Sequence, residues 1–210
     1  MSDLDIYTEP EGDPDTLANL GPLRPLAGIW AGSVGSDVHP SASGPKHAVF
    51  VERYELQPID RQTNGPQLFY GLRYHTHIVK PGEVETFHDQ VGYWLWEPET
   101  ERVTFSLTIP RGQSLLASGP AAPDATEFTL HAARGSATDG IVSNPFLDAH
   151  FRTVSFSMTV TVNENGTWAY TEDTMLQITG EEELFTHRDT HVLARVAPPT
   201  LNPLAIEASR

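Results

Sequence analysis

Apolar and polar residues alternate with a period of two along most of the chain from Gly28 onward. Val154, Phe156 and Met158, for example, are separated by serine residues. Such alternation is typical of antiparallel strands with one buried and one exposed face. The pattern predicts ten strands, over residues 28–34, 48–56, 67–79, 84–96, 102–109, 113–117, 127–132, 152–162, 167–178 and 184–196.

Short turn-forming segments separate most of the predicted strands. Residues 80–83, 110–112 and 163–166 are rich in proline, glycine and asparagine, which favour tight turns. Strands at this spacing without helices between them predict an up-and-down barrel or a sandwich. We favour an all-β fold, a single ten-stranded antiparallel up-and-down β-barrel. Because a ten-stranded barrel is wider than the eight-stranded kind, we expect its interior to contain a cavity.

The regions outside the strands divide the chain into three parts. Residues 1–14 are acidic and contain prolines, so we expect a disordered N-terminus. Residues 15–197 form the barrel domain and begin with a short helix capped by Asp15. Residues 198–210 form a proline-rich C-terminal tail. Residues 133–149 are interpreted as a long loop, either flanking the barrel mouth or purely structural.

Composition and charge exclude several classes of function. The 210 residues carry a net charge of −15 and include no cysteine, which rules out disulfides and thiolate chemistry. Such a charge argues against nucleic acid or anionic membranes as partners. We find no secretory signal, no apolar run of the ~20 residues that a membrane helix needs, and no motif of a hydrolase, metalloprotease or nucleotide-binding enzyme. We expect a cytoplasmic protein, and the sequence leaves a homodimer open.

A glycine–tryptophan motif lies in the first predicted strand. Gly28, Trp30 and Gly32 match the opening Gly-x-Trp-x-Gly-x-Gly of the nitrobindin family, whereas Val34 stands at the third glycine. The strand therefore resembles the first strand of a nitrobindin.

Two further segments follow in the order found in that family. His88, Gln90, Gly92 and Tyr93 resemble its His-x-Glu-x-Gly-Tyr stretch, with glutamine in place of glutamate. Residues 191–196 resemble its C-terminal His-Leu-x-Ala-x-Leu pattern. The resemblance covers nearly the whole predicted barrel and implies a nitrobindin- or calycin-like fold, related to lipocalins and fatty-acid-binding proteins.

The resemblance to nitrobindins also implies a cofactor and an activity. Members of that family bind ferric haem b, isomerise peroxynitrite to nitrate and bind nitric oxide when reduced, and a C-terminal histidine ligates the iron. His187 and His191 share one face of the last predicted strand. An alignment on Leu184-x-x-His favours His187, whereas one on His-x-x-Ala favours His191. We prefer His191 as the axial ligand because it matches more positions.

The alternative function is non-catalytic binding of a fatty acid or another lipophilic ligand without haem. Residues 92–96, 109–112 and 144–148 resemble a longer bacterial subgroup of nitrobindin-like, fatty-acid-binding-protein-like proteins. Some members of that subgroup lack the histidine that ligates the iron.

Other residues are candidates for lining the site. Trp30, between Gly28 and Gly32, is expected to plug the closed end of the barrel or to contact the ligand. Its indole N–H needs an acceptor when buried, and His88 or Gln90 could supply one.

Two arginines are candidates for binding a carboxylate on the ligand. Arg111 and Arg152 can each present a guanidinium fork to a haem propionate or a fatty-acid head. The ordinary interpretation, as turn and surface residues, is equally open.

A zinc site is a further alternative. If the turn between the third and fourth predicted strands is centred on Pro81-Gly82, His75 faces His88 directly and His77 lies diagonally on the same face. Three imidazoles on one face of a sheet could bind zinc. A turn centred elsewhere breaks this arrangement.

Overall fold

The computed structural model describes residues 5–210, so residues 1–4 of the predicted acidic N-terminus lie outside the described residues. This part of the chain forms three short α-helices and one 3₁₀ helix: α1 (Thr16–Asn19), the 3₁₀ helix (Gly21–Leu26), α2 (Pro145–His150) and α3 (Pro203–Ala208). It forms twelve strands: β1 (Gly28–Ser41), β2 (Gly44–Pro58), β3 (Gln62–Asn64), β4 (Gln67–Val79), β5 (Thr86–Glu97), β6 (Arg102–Ile109), β7 (Gln113–Pro120), β8 (Glu127–Ala133), β9 (Ile141–Ser143), β10 (Phe151–Val162), β11 (Trp168–Ile178) and β12 (Phe185–Ala197).

Ten of these strands close into a barrel. The hydrogen-bonded order is β2-β1-β12-β11-β10-β8-β7-β6-β5-β4, and β2 also pairs with β4, which completes the ring. All of these pairs are antiparallel. The short strands β3 and β9 pair with β4 and β7. The predicted ten-stranded barrel is therefore confirmed, with two additional strands.

A one-residue bulge in β1 determines which of its side chains point inward. Gly32 lies opposite Glu52 of β2, whereas Gly35 lies opposite Phe50, so one extra residue is inserted in β1. The bulge reverses the alternation, and Trp30 before it and Asp37 after it both point inward. The sequence pattern ended this strand at residue 34 because the alternation breaks there, but β1 continues to Ser41.

The N-terminal helices close one end of the barrel. Asp15 caps α1 by accepting a hydrogen bond from the backbone N–H of Ala18 at 3.2 Å, which confirms the predicted cap. The segment that follows buries three leucines completely, and inside the barrel Trp30 packs edge-on against Trp168, with 6.3 Å between ring centroids. The buried leucines are Leu20, Leu23 and Leu26. Large side chains therefore fill this end of the interior.

The segment predicted as a loop at residues 133–149 contains β9 and most of α2. Asn144 caps α2 by accepting hydrogen bonds from the backbone N–H groups of Phe146 at 2.9 Å and Leu147 at 3.0 Å. Pro145 occupies the first turn, where its missing N–H costs nothing. These two elements lie at the end of the barrel opposite the N-terminal helices.

The segments before and after the barrel contact each other on its surface. Asn202 is buried, and its Nδ2 donates to the carbonyl oxygen of Pro14 at 3.0 Å and to Oδ1 of Asp60 at 2.8 Å. The backbone N–H of Asp13 donates to the hydroxyl of Tyr70 at 3.1 Å.

Within residues 5–210, no helix has the length and apolar character required to span a membrane. The proposed division of the chain at residues 14 and 197 stays a prediction.

Candidate ligand-binding cavity

A cavity of about 430 Å³ occupies the part of the barrel interior that side chains leave empty. It lies between the aromatic plug and α2, which contributes Phe146 and Leu147 to its wall. The volume falls within the roughly 300–1,000 Å³ of typical small-molecule sites. Much of the wall is apolar and includes Phe50, Ile78, Leu107, Ile109, Leu115, Phe156, Met158 and Leu176.

The polar part of the cavity wall is rich in carboxylates and imidazoles. The acidic lining residues are Asp37, Glu52, Glu172 and Asp189, and the imidazoles belong to His39, His88 and His187. Among the lining residues, all of which lie in the described part of the chain, Arg111 has the single permanently positive side chain. The cavity therefore combines an apolar wall with a cluster of carboxyl and imidazole groups.

Asp37 lies at the centre of the first polar cluster. Its Oδ1 is 2.8 Å from Nε2 of His187, and its Oδ2 is hydrogen-bonded to Nδ1 of His39. Nε2 of His187 also lies 3.3 Å from Oδ2 of Asp189. Asp37 is only 2% exposed, and the two imidazole hydrogen bonds compensate for the burial of its charge.

Ionisation within this cluster is strongly perturbed. Burial raises the pKa of Asp37, but the hydrogen bonds from His187 and His39 outweigh it and lower the pKa overall. Burial also lowers the pKa of His187, but the hydrogen bond to Asp37 and the charges of Asp189 and Asp37 raise it overall. These shifts favour an ion pair between Asp37 and a protonated His187.

The two remaining carboxylates on this side repel each other. Burial raises the pKa of Asp189 to about 8. The charge of His187 opposes this shift, and the charges of Glu172 and Asp37 add to it. Burial, reinforced by the charges of Glu52 and Asp173, raises the pKa of Glu172 to about 8. Glu172 and Asp189 are opposite each other on β11 and β12, so the sheet keeps them close.

Glu52 organises a second buried cluster deeper in the barrel. Its Oε2 accepts hydrogen bonds from the hydroxyl of Tyr170 at 2.9 Å and lies 2.7 Å from Nδ1 of His191. Its Oε1 accepts from the hydroxyl of Thr76 at 2.6 Å. Burial and the charge of Glu52 raise the pKa of Tyr170 well above its ordinary value, so the tyrosine stays a hydrogen-bond donor.

His191, the preferred candidate for an axial ligand, does not line the cavity. Its Nε2 is buried without a hydrogen-bond partner within residues 5–210 and points at the α-carbon of Gly32, where a Cβ would overlap it. Phe50 packs edge-on against the imidazole with 4.9 Å between ring centroids. Phe50, Glu52 and Tyr170 surround His191 and line the cavity themselves.

His187, the alternative axial ligand, does line the cavity. The nitrogen that faces Asp37 and Asp189 is Nε2, which both carboxylates contact. The two C-terminal histidines are therefore both inside the barrel, as the shared face predicts, but they belong to different carboxylate clusters.

The structure brings His88 and Gln90 together but leaves Trp30 out of their network. Nε2 of His88 is 3.2 Å from Oε1 of Gln90, and Nε2 of Gln90 donates to the hydroxyl of Tyr74 at 2.9 Å. Burial lowers the pKa of His88. The expected hydrogen bond from Trp30 to this pair is wrong, because its indole N–H donates to the carbonyl oxygen of Leu26 at 2.7 Å.

The two glycines beside Trp30 have separate packing roles. At Gly28, φ is +140° and a Cβ would lie 2.8 Å from the carbonyl oxygen of Ala197, so the strand can adopt this path only with glycine. Gly32 makes room for the imidazole of His191. In this structure neither glycine is among the residues that line the cavity.

The histidine trio proposed for zinc does not assemble. His75 lies opposite Val91 and His77 opposite Asp89, whereas His88 lies opposite Ile78. The strands pair about a centre near residue 83 and not at residues 81–82, so His75 and His77 point outward while His88 points inward. The prediction that the three share one face is wrong, because a bulge between the Ile78–His88 and Val79–Thr86 pairs inserts one extra residue into β5 and reverses its alternation.

The two candidate arginines occupy different places. Arg111 lies at the cavity mouth and donates to the carbonyl oxygen of Phe87 at 3.2 Å. Arg152 lies outside the cavity lining, donates to the carbonyl oxygen of Asp148 at 3.0 Å and is 3.8 Å from the Asp148 carboxylate. Of the two, only Arg111 is placed to meet a ligand.

Five acidic or histidine residues of the cavity were missed by sequence reasoning, among them Asp189, which lies on β12 opposite Glu172. Asp37 and His39 lie on β1 beyond its predicted end, and the bulge turns them inward. Glu52 lies between Phe50 and Tyr54 on the inward face of β2. A single acidic residue among large buried side chains is a sequence signal that could have identified it as a site residue. Glu172 faces inward on β11 in the same way as Tyr170.

The chain's residues do not fit haem in this arrangement. Nε2 of His191 is turned to the barrel wall, and Nε2 of His187 is held between two carboxylates. Haem propionates would add negative charge to a cavity that offers them only Arg111 as a permanent cation among its described lining residues. We therefore derive no chemistry through haem for this site.

Comparisons with known proteins agree with the fold. The family model described as "THAP4-like, heme-binding beta-barrel domain" matches residues 19–195. The crystal structure of Rv2717c from M. tuberculosis is similar with a TM-score of 0.58 and 19% identity, covering 88% of this chain and 99% of that one. This level of identity shows a shared fold. No curated protein matches the chain.

Proposed function

The chain belongs to the family of THAP4-like, haem-binding β-barrel domains, and from this premise we propose that it binds one small, largely apolar ligand in its barrel without haem. The family match confirms the resemblance to nitrobindins. A barrel of this family has a ligand-binding interior, and the residues that line it decide which ligand fits.

The proposal rests on a barrel interior that side chains fill only in part. Fully buried aromatic residues plug one end, and the other end contains the 430 Å³ cavity with its apolar wall. Burying apolar surface of a ligand against that wall is favourable by about 25 cal/mol per Å². The cavity is therefore suited to a guest with an apolar body.

The charge of the cavity restricts the polar part of that ligand. Four carboxylates face the interior, against the single permanent cation of Arg111 among the described lining residues. A pKa of about 8 leaves Glu172 and Asp189 largely protonated near pH 7, so both can donate hydrogen bonds to a neutral polar head, whereas a fatty-acid carboxylate has Arg111 as its single permanent cation among the described lining residues. We therefore favour a neutral lipophilic ligand over the fatty acid that the family resemblance suggested.

The second candidate function is the haem-dependent one that the nitrobindin resemblance implies, peroxynitrite isomerisation and nitric oxide binding. One observation favours it. Nδ1 of His191 is 2.7 Å from the Glu52 carboxylate while its buried Nε2 has no partner among residues 5–210. A carboxylate on the far nitrogen is a common support for a metal-bound imidazole. This candidate requires His191 to turn from Gly32 toward the cavity.

Two titrations of the purified full-length protein separate these candidates. In the first, the neutral fluorophore N-phenyl-1-naphthylamine is added and its emission is followed. In the second, haemin is added and the Soret band is followed in wild type, His191→Ala and His187→Ala. Saturable binding of the fluorophore together with a haemin spectrum that neither substitution alters supports the proposed function. A Soret band that His191→Ala abolishes, without fluorophore binding, supports the haem-dependent function and overturns ours.

A further inference from the structure

We propose that Asp37, His187 and Asp189 bind one divalent transition-metal ion, with zinc as the favoured metal, on the wall of the cavity. The ion's role as an anchor for the ligand rests on the proposed function, whereas the metal site itself rests on the geometry of these three side chains.

The three side chains present their donor atoms at one point. Nε2 of His187 is 2.8 Å from Oδ1 of Asp37 and 3.3 Å from Oδ2 of Asp189, and all three atoms lie within 4.8 Å of one another. Within residues 5–210, no other group of histidine, cysteine, aspartate and glutamate side chains meets this condition. A metal at bonding distance of about 2.0–2.2 Å from each atom requires only small shifts of the side chains.

The backbone fixes this arrangement in advance. Asp37 and Asp189 are directly opposite each other in the β1–β12 ladder, and His187 is two residues from Asp189 on the same face of β12. The bulge in β1 is what turns Asp37 inward to meet them. Two hydrogen-bonded strands therefore present all the donor atoms, and the ordering entropy of the site is already lost on folding.

His39 supports the metal site through a hydrogen bond to one of its ligands. Its Nδ1 is hydrogen-bonded to Oδ2 of Asp37, the oxygen that does not face His187. Hydrogen bonds of this kind, from residues that do not touch the metal themselves, orient the carboxylates that ligate it. We assign His39 as a positioning residue, and we assign Asp37, His187 and Asp189 as the ligands.

The types of donor select the class of metal. One imidazole and two carboxylates without a thiolate suit zinc and neighbouring divalent transition metals better than calcium or magnesium, which prefer oxygen donors alone. Three protein ligands leave one zinc coordination position open, and all three ligands line the cavity. Water or a polar oxygen of the guest can occupy that position, and the cation balances the charge of the two carboxylates that bind it.

Metal titration of the chelator-treated full-length protein tests this proposal. Wild type is expected to bind one zinc ion per chain in calorimetry and to give a saturable cobalt absorption spectrum. His187→Gln and Asp189→Asn should lose this site, and His39→Gln should weaken it by about 10- to 100-fold. The matched control is His75→Gln, which removes the outward-facing His75 that is 2.8 Å from Asp89, and it should leave the spectrum unchanged.

The result that overturns the metal site is wild type without a saturable cobalt spectrum, or an equal loss in His187→Gln and His75→Gln. In that case the cluster is only the ion pair of His187 with Asp37. The cobalt spectrum of wild type decides this even if a variant does not fold. N-phenyl-1-naphthylamine binding in the presence of a chelator tests the ligand cavity independently, so failure of the metal site and failure of the proposed function are distinguishable.

Discussion

The imidazole of His191 occupies the space inside the barrel that a side chain at Gly32 would fill. A Cβ at residue 32 would overlap Nε2, and it would also crowd the adjacent ring carbons. The glycine of the family motif is thereby explained by packing against a particular histidine on the neighbouring strand.

The first prediction follows from this contact. Gly32→Ala should lower the free energy of unfolding by about 1–3 kcal/mol, because the added methyl group overpacks the buried ring. Urea denaturation followed by tryptophan fluorescence measures the change. In a His191→Ala background the same substitution should cost almost nothing. Equal costs in the two backgrounds would show that the ring lies elsewhere.

The second prediction concerns the buried carboxylate of Glu52. Glu52→Leu removes the buried acceptor that His191 and Tyr170 share and leaves the Thr76 hydroxyl only the carbonyl oxygen of Arg53 at 3.4 Å. Removing one partner of such a network should lower the free energy of unfolding by about 3–5 kcal/mol.

The control for this prediction lies on the same strand. Glu55 pairs with Arg53 at 2.9 Å on the outer face, where both side chains are partly exposed. Exposed pairs of this kind contribute about 0–1 kcal/mol, so Glu55→Leu should change stability little. If the two variants unfold at the same urea concentration, Glu52 does not support the interior.

The ten strands of the barrel could be predicted from sequence because period-two alternation is a local property of each strand. The same rule failed in β1, where the extra residue between Gly32 and Gly35 shifts the alternation by one. A bulge depends on pairing with strands distant in sequence, so local patterning cannot show it. Asp37 and His39 were missed for this reason.

The shared face of the two histidines on β12 was predicted correctly, but their partners were not. His187 and His191 share a face as their spacing of four residues requires, yet each bonds to a carboxylate about 140 to 150 residues away in sequence. The zinc trio failed because a bulge in β5, beside the turn after β4, shifts the register by one residue. Contacts across the barrel depend on closure and register, which a single sequence does not encode locally.

The third prediction concerns pH and His88. Burial holds its pKa in the folded state below the ordinary value of 6.5, so the unfolded chain binds a proton there more readily than the folded protein does. Because of this difference, His88 lowers the free energy of unfolding as the pH falls through 6.5. Well above pH 6.5 the imidazole is neutral in both states, and His88 adds no pH dependence. His88→Gln should therefore lose less stability than wild type between pH 7 and 5, measured by urea denaturation at each pH.

The control for His88 is His47→Gln, which removes an exposed histidine on β2. This variant should follow the wild-type pH dependence. The assignment of the pH effect to burial of His88 is wrong if both variants change the pH profile equally, or if neither changes it.

The final prediction tests whether the cavity is the site where an apolar guest binds. Leu107 and Thr108 are adjacent on β6, but Leu107 points into the cavity and is 5% exposed, whereas Thr108 points to solvent. Leu107→Trp places a larger ring in the empty volume and should weaken N-phenyl-1-naphthylamine binding at least tenfold, about 1.4 kcal/mol. Thr108→Trp adds the same ring outside and should bind the fluorophore as wild type does.

The stability of Leu107→Trp is an independent measure of the empty space. In a packed core, this substitution would lower the free energy of unfolding by about 1–3 kcal/mol, so near-normal stability would indicate empty space beside residue 107. If both variants bind equally well, the fluorophore lies outside the barrel, and the wall of the cavity does not determine what this protein binds.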